Sequence, residues 1–259
     1  MNDKKIILFD LDDTLLDFKK GEANAVKAMF EKYNILYTKE NINLYRSANL
    51  KWWHILELGK ASKEEILVNR FKDFFESINL FMDKSIDKYI DKSIDKSIDF
   101  SIDYKEVNKF FLDHLSHESY LIDGVIDVLK EIKKREAKIF IISNGIKYVQ
   151  DGRLAKQKEL VKLIDKIYLS DDIGYVKPDT KFMEYILNDN PGINKEDMII
   201  VGDSLTSDIK LGVNSGIETI LVSNGYDKNM SDKNIKIYDK PTYIVYNLND
   251  VLNIIFYNY

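Results

Sequence analysis

Short apolar runs that end abruptly in acidic, amide or glycine-containing turns recur along this chain: "KIILFD" (5–10), "AKIFIISNG" (137–145), "DKIYLSDD" (165–172), "DMIIVGDS" (197–204) and "ETILVSNG" (218–225). Their β-branched, unbroken hydrophobicity does not alternate as a half-solvated strand would. It suits strands buried on both faces of a parallel sheet. Helical patterns lie between them: "VIDVLKEIKKRE" (125–136), "KFMEYILND" (181–189) and "LTSDIKLGVNSG" (205–216), the last closing on Gly216, a residue placed to end a helix. Strands alternating with helices predict an α/β fold built on a doubly wound parallel sheet.

Residues 19–118 follow another rule. "EANAVKAMFEKY", "NINLYRSANLKWWHILEL" and "KEEILVNRFKDFFESI" carry helical periodicity, and the interval holds no run of the buried-strand type. The expected organisation is a Rossmann-like core of residues 1–18 and 119–259, interrupted by a helical module of residues 19–118. Inside the module lies a tetrapeptide array, "KSIDKYIDKSIDKSIDFSID" (84–103). A period of four precesses about 40° per repeat on a helix, so its isoleucines spiral instead of forming one stripe. We read the array as a helix extension or irregular insertion without a catalytic role.

Composition removes several kinds of chemistry. The 259-residue chain has no cysteine, which excludes disulfides, thiol catalysis and thiolate metal sites. His54, His114 and His117 form no i, i+4 pair, so any metal is expected on oxygen ligands. A formal net charge of −5 gives no general attraction for nucleic acid polymers, and no apolar run is long enough to span a bilayer. Lys4 and Lys5 run through "IILF" directly into Asp10, unlike a signal peptide. The expectation is a cytoplasmic protein, monomeric or homodimeric, without a membrane or nucleic acid partner.

The strand endings carry the chemistry. In open α/β sheets functional groups gather beyond the carboxyl ends of the strands. Burying an unpaired carboxylate costs several kcal/mol, so the acids of "FDLDDTLLDF" (9–18) must be solvated, bound to a cation or used chemically. Asp10 and Asp12, two residues apart on an extended segment, project in the same general direction, so that one could attack while the other handles protons. Ser143, followed by Asn144-Gly145, offers a hydroxyl and a backbone N–H for a phosphoryl oxygen. Lys177 precedes Pro178 and is expected to place a cation at the head of a helix. "GDSLTSD" puts Asp203 at a strand end and Asp208 in the first helical turn, where they could bind or orient a hard cation.

Taken together and in this order, "DLDDT", "SNG", "VKP" and "GDSLTSD" resemble the four motifs of the haloacid dehalogenase superfamily, over residues 1–18 and 119–225. The resemblance implies a Mg²⁺-dependent phosphatase. Asp10 would be the nucleophile that forms an aspartyl-phosphate, and Asp12 the general acid and base. Thr14 matches the hydroxyl position that closes the first motif. Ser143 and the Asn144 amide match the phosphate-binding position, and Lys177 the cation that offsets repulsion between carboxylate and phosphate. Asp10, Asp203 and the Asp12 main-chain carbonyl would ligate Mg²⁺, with Asp208 an outer ligand or a partner of Lys177. Asp13 and Asp17 are expected to be dispensable, Asp13 pointing into solvent or the turn.

The module at 19–118 resembles the cap that many phosphatases of this superfamily close over small phosphates. Details such as "NLKWWHILELGK", "VNRF" and "GYVKP" look like the pyrimidine 5'-nucleotidase group, which implies nucleoside monophosphates as substrates. Phe18, Trp52 and Trp53 are candidates to stack on a base, although adjacent tryptophans cannot share one helix face. Asn49 is a candidate hydrogen-bond partner for base or ribose, and Arg70 a tie between cap helices through carboxylates. Two other readings use the same residues: a sugar-phosphate phosphatase or mutase, and a signalling protein that retains its phosphoaspartate.

Overall fold

The computed structural model describes residues 4–89, 102–223 and 240–257. Strand β1 (Ile6–Phe9) comes first, then helices α1 (Phe18–Lys32), α2 (Lys39–Glu57), α3 (Lys63–Tyr89), α4 (Tyr104–Ser116) and α5 (Val125–Lys134). There follow β2 (Lys138–Ser143), α6 (Lys147–Ala155), α7 (Lys158–Leu163), β3 (Lys166–Leu169), α8 (Ser170–Ile173), α9 (Thr180–Asn188) and β4 (Met198–Gly202). A π-helical turn (Leu205–Ile209) leads into α10 (Lys210–Ser215), and β5 (Glu218–Val222), β6 (Tyr243–Val245) and α11 (Asp250–Leu252) complete the core.

The strands form one parallel sheet in the order β3-β2-β1-β4-β5-β6. Both faces of its centre are buried, as the unbroken apolar runs require. Ile7 and Phe9 of β1, Ile139 and Ile141 of β2, and Ile199 and Val201 of β4 pack on one side, against the stripe Val125, Val128, Leu129 and Ile132 of α5. Ile6, Leu8, Phe140, Ile142, Met198 and Ile200 pack on the other, against Phe182, Met183 and Ile186 of α9. Burying each such side chain contributes roughly 1.5–3 kcal/mol before conformational entropy is set against it. Gly216 ends α10 with a left-handed φ of 68°, as its place in the sequence suggested. Strand β6 was not anticipated, because "YIV" is too short a run to stand out.

Register sets the position of the site. Phe9 pairs with Ile141 on one side and Val201 on the other. Asp10 is therefore level with Ile142 and Gly202, and Ser143 and Asp203 lie one residue further along the same edge.

The chain divides into two compact units, Met1–Gly21 with Ser116–Tyr259, and Glu22–Leu115. The helical unit thus starts and ends three residues inside the borders expected at 19 and 118. Its interior is aromatic: Phe30, Tyr45, Phe71, Phe74, Phe75 and Phe111 are all buried, with Phe30 stacked on Phe74 at 5.4 Å between ring centroids. Arg70 is buried among them, its guanidinium 4.7 Å from the Phe71 ring centroid. It donates to the side-chain oxygens of Asn49 (2.9 Å) on α2 and Asn108 (3.0 Å) on α4. Arg70 therefore ties the helices together as expected, but through amides and not carboxylates. Helix α3 carries the start of the tetrapeptide array as far as Tyr89, while residues 90–101 of the array lie outside the described residues. Among the described residues no helix is long and apolar enough to cross a membrane.

Candidate active site

The site grows from the turn after β1. Asp10 N donates to Val201 O at 2.9 Å, extending the strand by one residue, after which the chain coils tightly: Leu15 N and Leu16 N both reach Leu11 O. Asp13 takes a positive φ of 58°, which an aspartate tolerates better than most residues. Its carboxylate accepts from Lys19 N at 3.1 Å, and Asp17 accepts from Lys20 N at 2.9 Å. Asp13 thus sits in the turn, half-buried, and both acids act as supports for the start of α1. Thr14 is fully buried in the same turn, and its hydroxyl has no hydrogen-bond partner among the described residues.

Lys177 is the centre of charge. It is buried, and its ammonium donates to Asp10 Oδ1 (2.6 Å), Asp208 Oδ1 (2.6 Å) and Ile142 O (2.9 Å). Three donors meet three acceptors, which satisfies the group completely. Burial pulls its pKa down, but the carboxylates of Asp10 and Asp208 outweigh that and hold it above the ordinary lysine value. A lysine before Pro178 is expected at the head of a helix. Instead α9 begins at Thr180 with Asp179 as its cap, and Lys177 turns inward beneath the carboxylates. Asn144 fixes that turn: its Oδ1 accepts from Lys177 N and its Nδ2 donates to Lys177 O, both at 2.8 Å.

Asp208 reaches Lys177 from the π-helical turn, whose widened backbone brings Asp208 N and Ile209 N both to Ser204 O. Its Oδ2 accepts from Ser204 N at 3.2 Å. Gly202 is required here, because a Cβ at that position would overlap the Asp208 carboxylate. Asp203 completes the cluster. Carboxylate oxygens of Asp10, Asp203 and Asp208 all lie within 4.8 Å of one another. Burial, then repulsion from Asp208 and Asp13, raises the Asp203 pKa to about 7, and burial raises that of Asp10 well above the ordinary range in spite of Lys177. Three crowded carboxylates, offering only oxygen donors, fit a small hard cation such as Mg²⁺. This set includes Asp208, whereas the resemblance implies Asp10, Asp203 and the Asp12 main-chain carbonyl, and one oxygen of Asp208 is already held by Lys177.

Ser143 ends β2. Its hydroxyl oxygen accepts from Gly145 N and from Gln150 Nε2, each at 3.0 Å. With both lone pairs used, the hydroxyl has only its proton left to offer, as an anion site requires. Asp12 accepts from Gln150 Nε2 on Oδ2 (2.7 Å) and from Arg153 Nη1 on Oδ1. Neither Gln150 nor Arg153 was recognised in the sequence. A glutamine and an arginine three apart on a helix read as a solvated face, yet both are buried. Their i, i+3 spacing directly after "SNG" was the available signal.

The residues proposed to meet a base fare differently. Phe18 lies 5.5 Å from the Arg153 guanidinium, measured to its ring centroid. Asn49 is buried, and its amide donates to Glu22 Oε1 (3.0 Å) and accepts from Arg70 Nη1 (2.9 Å). Trp52 is half-buried and donates its indole N–H to Asp73 Oδ2 at 2.9 Å. Trp53 is half-buried and makes no hydrogen bond through its side chain among the described residues.

Residues 61–222 match the profile of the haloacid dehalogenase-like hydrolases. The chain is 30% identical to the pyrimidine 5'-nucleotidase PynA of Streptococcus pneumoniae over 96% of its own length and 94% of that protein. It is 26% identical to the pyrimidine 5'-nucleotidase YjjG of Escherichia coli over 82% and 83% of the two chains. Among solved structures, the putative hydrolase YfnB of Bacillus subtilis, determined with magnesium bound, superposes with a TM-score of 0.80 at 27% identity, covering 98% of this chain and 99% of that one.

Proposed function

Because this chain belongs to the haloacid dehalogenase-like hydrolases, we propose that it is a Mg²⁺-dependent phosphomonoesterase that works through an aspartyl-phosphate on Asp10. The observation that carries the reading is the buried Lys177 shared between Asp10 and Asp208. A carboxylate attacking a phosphate dianion meets repulsion, and a fixed cation beside the nucleophile lowers that barrier only if it is already in place. Lys177 takes Oδ1 of Asp10 and leaves Oδ2 as the attacking atom.

In the first step Asp10 Oδ2 bonds to phosphorus, the bond to the ester oxygen breaks, and the proton of Asp12 passes to the departing alkoxide. In the second, water attacks the same phosphorus, Asp12 takes up its proton, and the Asp10–phosphorus bond breaks to release phosphate. The Ser143 hydroxyl and the Asn144 main-chain N–H bind the phosphoryl oxygens during both steps. Asp10, Asp203 and the Asp12 carbonyl would hold Mg²⁺, which when bound supplies further positive charge at the phosphoryl group. Asp208 serves this site by holding Lys177.

For substrate, nucleoside 5'-monophosphates of the pyrimidine type are the proposed class, supported by the named activities of PynA and YjjG. The test is phosphate release by the purified protein with Mg²⁺ across nucleoside monophosphates and sugar phosphates. Pyrimidine 5'-monophosphates should rank first, and Asp10→Asn should lower kcat at least about 10³-fold while the protein still folds. Substantial turnover by that variant would remove Asp10 as nucleophile. Interconversion of sugar-phosphate isomers without phosphate release would indicate a mutase.

A further inference from the structure

Asp12 is gripped from two sides. Arg153 is buried on α6; its Nε donates to Glu118 O (3.0 Å), and its Nη1 donates to Gln150 Oε1 (3.0 Å) and to Asp12 Oδ1. The Phe18 ring lies against the guanidinium. Gln150, one turn earlier and also buried, gives one amide hydrogen to Asp12 Oδ2 at 2.7 Å and the other to Ser143 Oγ at 3.0 Å. Gly145 leaves room for this, since a Cβ there would overlap the Gln150 amide. The two oxygens of Asp12 are therefore distinguished: Oδ1 faces a cation anchored to the main chain, and Oδ2 shares a donor with the hydroxyl assigned to phosphate.

We infer that Gln150 and Arg153 are positioning residues for the proton-transfer carboxyl: they fix its plane, with Oδ1 as the anchored atom and Oδ2 as the atom that gives and takes the proton. This rests on the phosphomonoesterase reading, with Asp12 as acid and base. A carboxyl group on a short side chain has several rotamers, and a misplacement of about 1 Å in a proton-transfer group costs on the order of 10²-fold in rate. Oδ2 is the working oxygen because Gln150 Nε2 joins it to Ser143 Oγ, on the side where the phosphoryl group and its departing oxygen must lie. Oδ1, facing a permanent cation, stays an acceptor throughout.

The test uses two leaving groups. An alkoxide must be protonated as it departs, whereas para-nitrophenolate leaves unaided, so a defect confined to Asp12 separates the two through kcat/KM. With a nucleoside 5'-monophosphate, or the alkyl phosphate that the wild type turns over best, Arg153→Met and Gln150→Met should each lower kcat/KM on the order of 10²-fold. With para-nitrophenyl phosphate the Arg153→Met loss should stay within about threefold, while Gln150→Met, which also frees a lone pair of the Ser143 hydroxyl, should lose more on the alkyl ester than on this one. Arg153→Lys should recover part of the alkyl-ester rate. Because Asp12 also activates water in the second step, Arg153→Met should release nitrophenol in a burst stoichiometric with enzyme.

Equal losses on both esters would assign the cluster to folding or phosphate binding and overturn the inference, as would no loss on either. If Arg153→Met lacks a cooperative unfolding transition, Arg153→Lys decides by the same ratio, since it keeps a cation beside Asp12 and leaves the bond between Gln150 and Ser143 in place, and its loss should fall on the alkyl ester alone. A folded wild-type protein that hydrolyses neither ester overturns the phosphomonoesterase reading itself, which is distinct from an active wild type whose variants fall alike.

Discussion

Lys177 shows how one residue ties stability to chemistry. It is surrounded by Asp10, Asp208 and a main-chain carbonyl, and nothing in that shell can replace its charge. Lys177→Met keeps most of the volume but leaves two carboxylates buried without a counter-ion, a change that typically costs about 3–5 kcal/mol. In urea unfolding with chelator present the loss should be larger at pH 8 than at pH 5, because at the lower pH the stranded carboxylates take up protons and the repulsion ends. A variant as stable as the parent at pH 8 would show that the pair is not a buried ion pair in solution. Of the candidate residues, Asp10, Ser143 and Asp203 stand at strand ends and Lys177 before a proline, where apolar runs stop, and Asp12 and Asp208 lie further along the same turns, which is what makes this candidate cluster legible in the sequence. Gln150 and Arg153 were not, since their burial depends on residues more than a hundred positions away and leaves no periodic trace. The bonds of Asn49 were not legible for a related reason: a polar residue in a helical pattern looks unengaged, whereas in the fold its amide meets Glu22 on α1 and Arg70 on α3.

At the scale of elements, patterns of burial transferred well and polar ties did not. The alternation of Ile6 and Leu8 with Ile7 and Phe9 between two cores is what an unbroken apolar strand implies, and the α5 stripe follows the helical period directly. Strand β6 escaped because three residues carry too little period to detect. In the helical unit Arg70 is the cross-tie of α2, α3 and α4. Arg70→Met would leave the oxygens of Asn49 and Asn108 without their charged donor inside an aromatic core. The expected loss is about 2–4 kcal/mol, read as a lower urea midpoint with an unchanged slope. Double substitution with Asn49→Leu should cost less than the sum of the two single changes, because the second removes a group that the first had stranded. Strict additivity would mean that Arg70 acts only by filling space.

Across the whole molecule, the crowded acids make stability depend on pH and on a cation together. Without metal the Asp203 pKa stands at about 7, while an unfolded aspartate titrates near about 3.9. Between those values the folded state binds more protons than the unfolded state. The stability of the chelated protein should therefore fall as pH rises from about 4 to 7. A bound divalent cation takes the place of the proton, so added Mg²⁺ should raise the melting temperature more at pH 8 than at pH 5. Asp203→Asn should flatten both dependences; melting curves that keep their pH and Mg²⁺ response in that variant would place the effect elsewhere.

The sheet order also has a consequence for synthesis. Asp10 and Lys177 are 167 residues apart, and β1 gains its neighbour β4 only after Lys177 has been made. At about 5–20 residues per second, a ribosome makes the nucleophile roughly 8–33 s before the cation that neutralises it. During that interval the apolar "IILF" segment has neither of its partner strands at first and only β2 later, so chaperone contact with the nascent chain is expected to concentrate there until residues near 200 emerge.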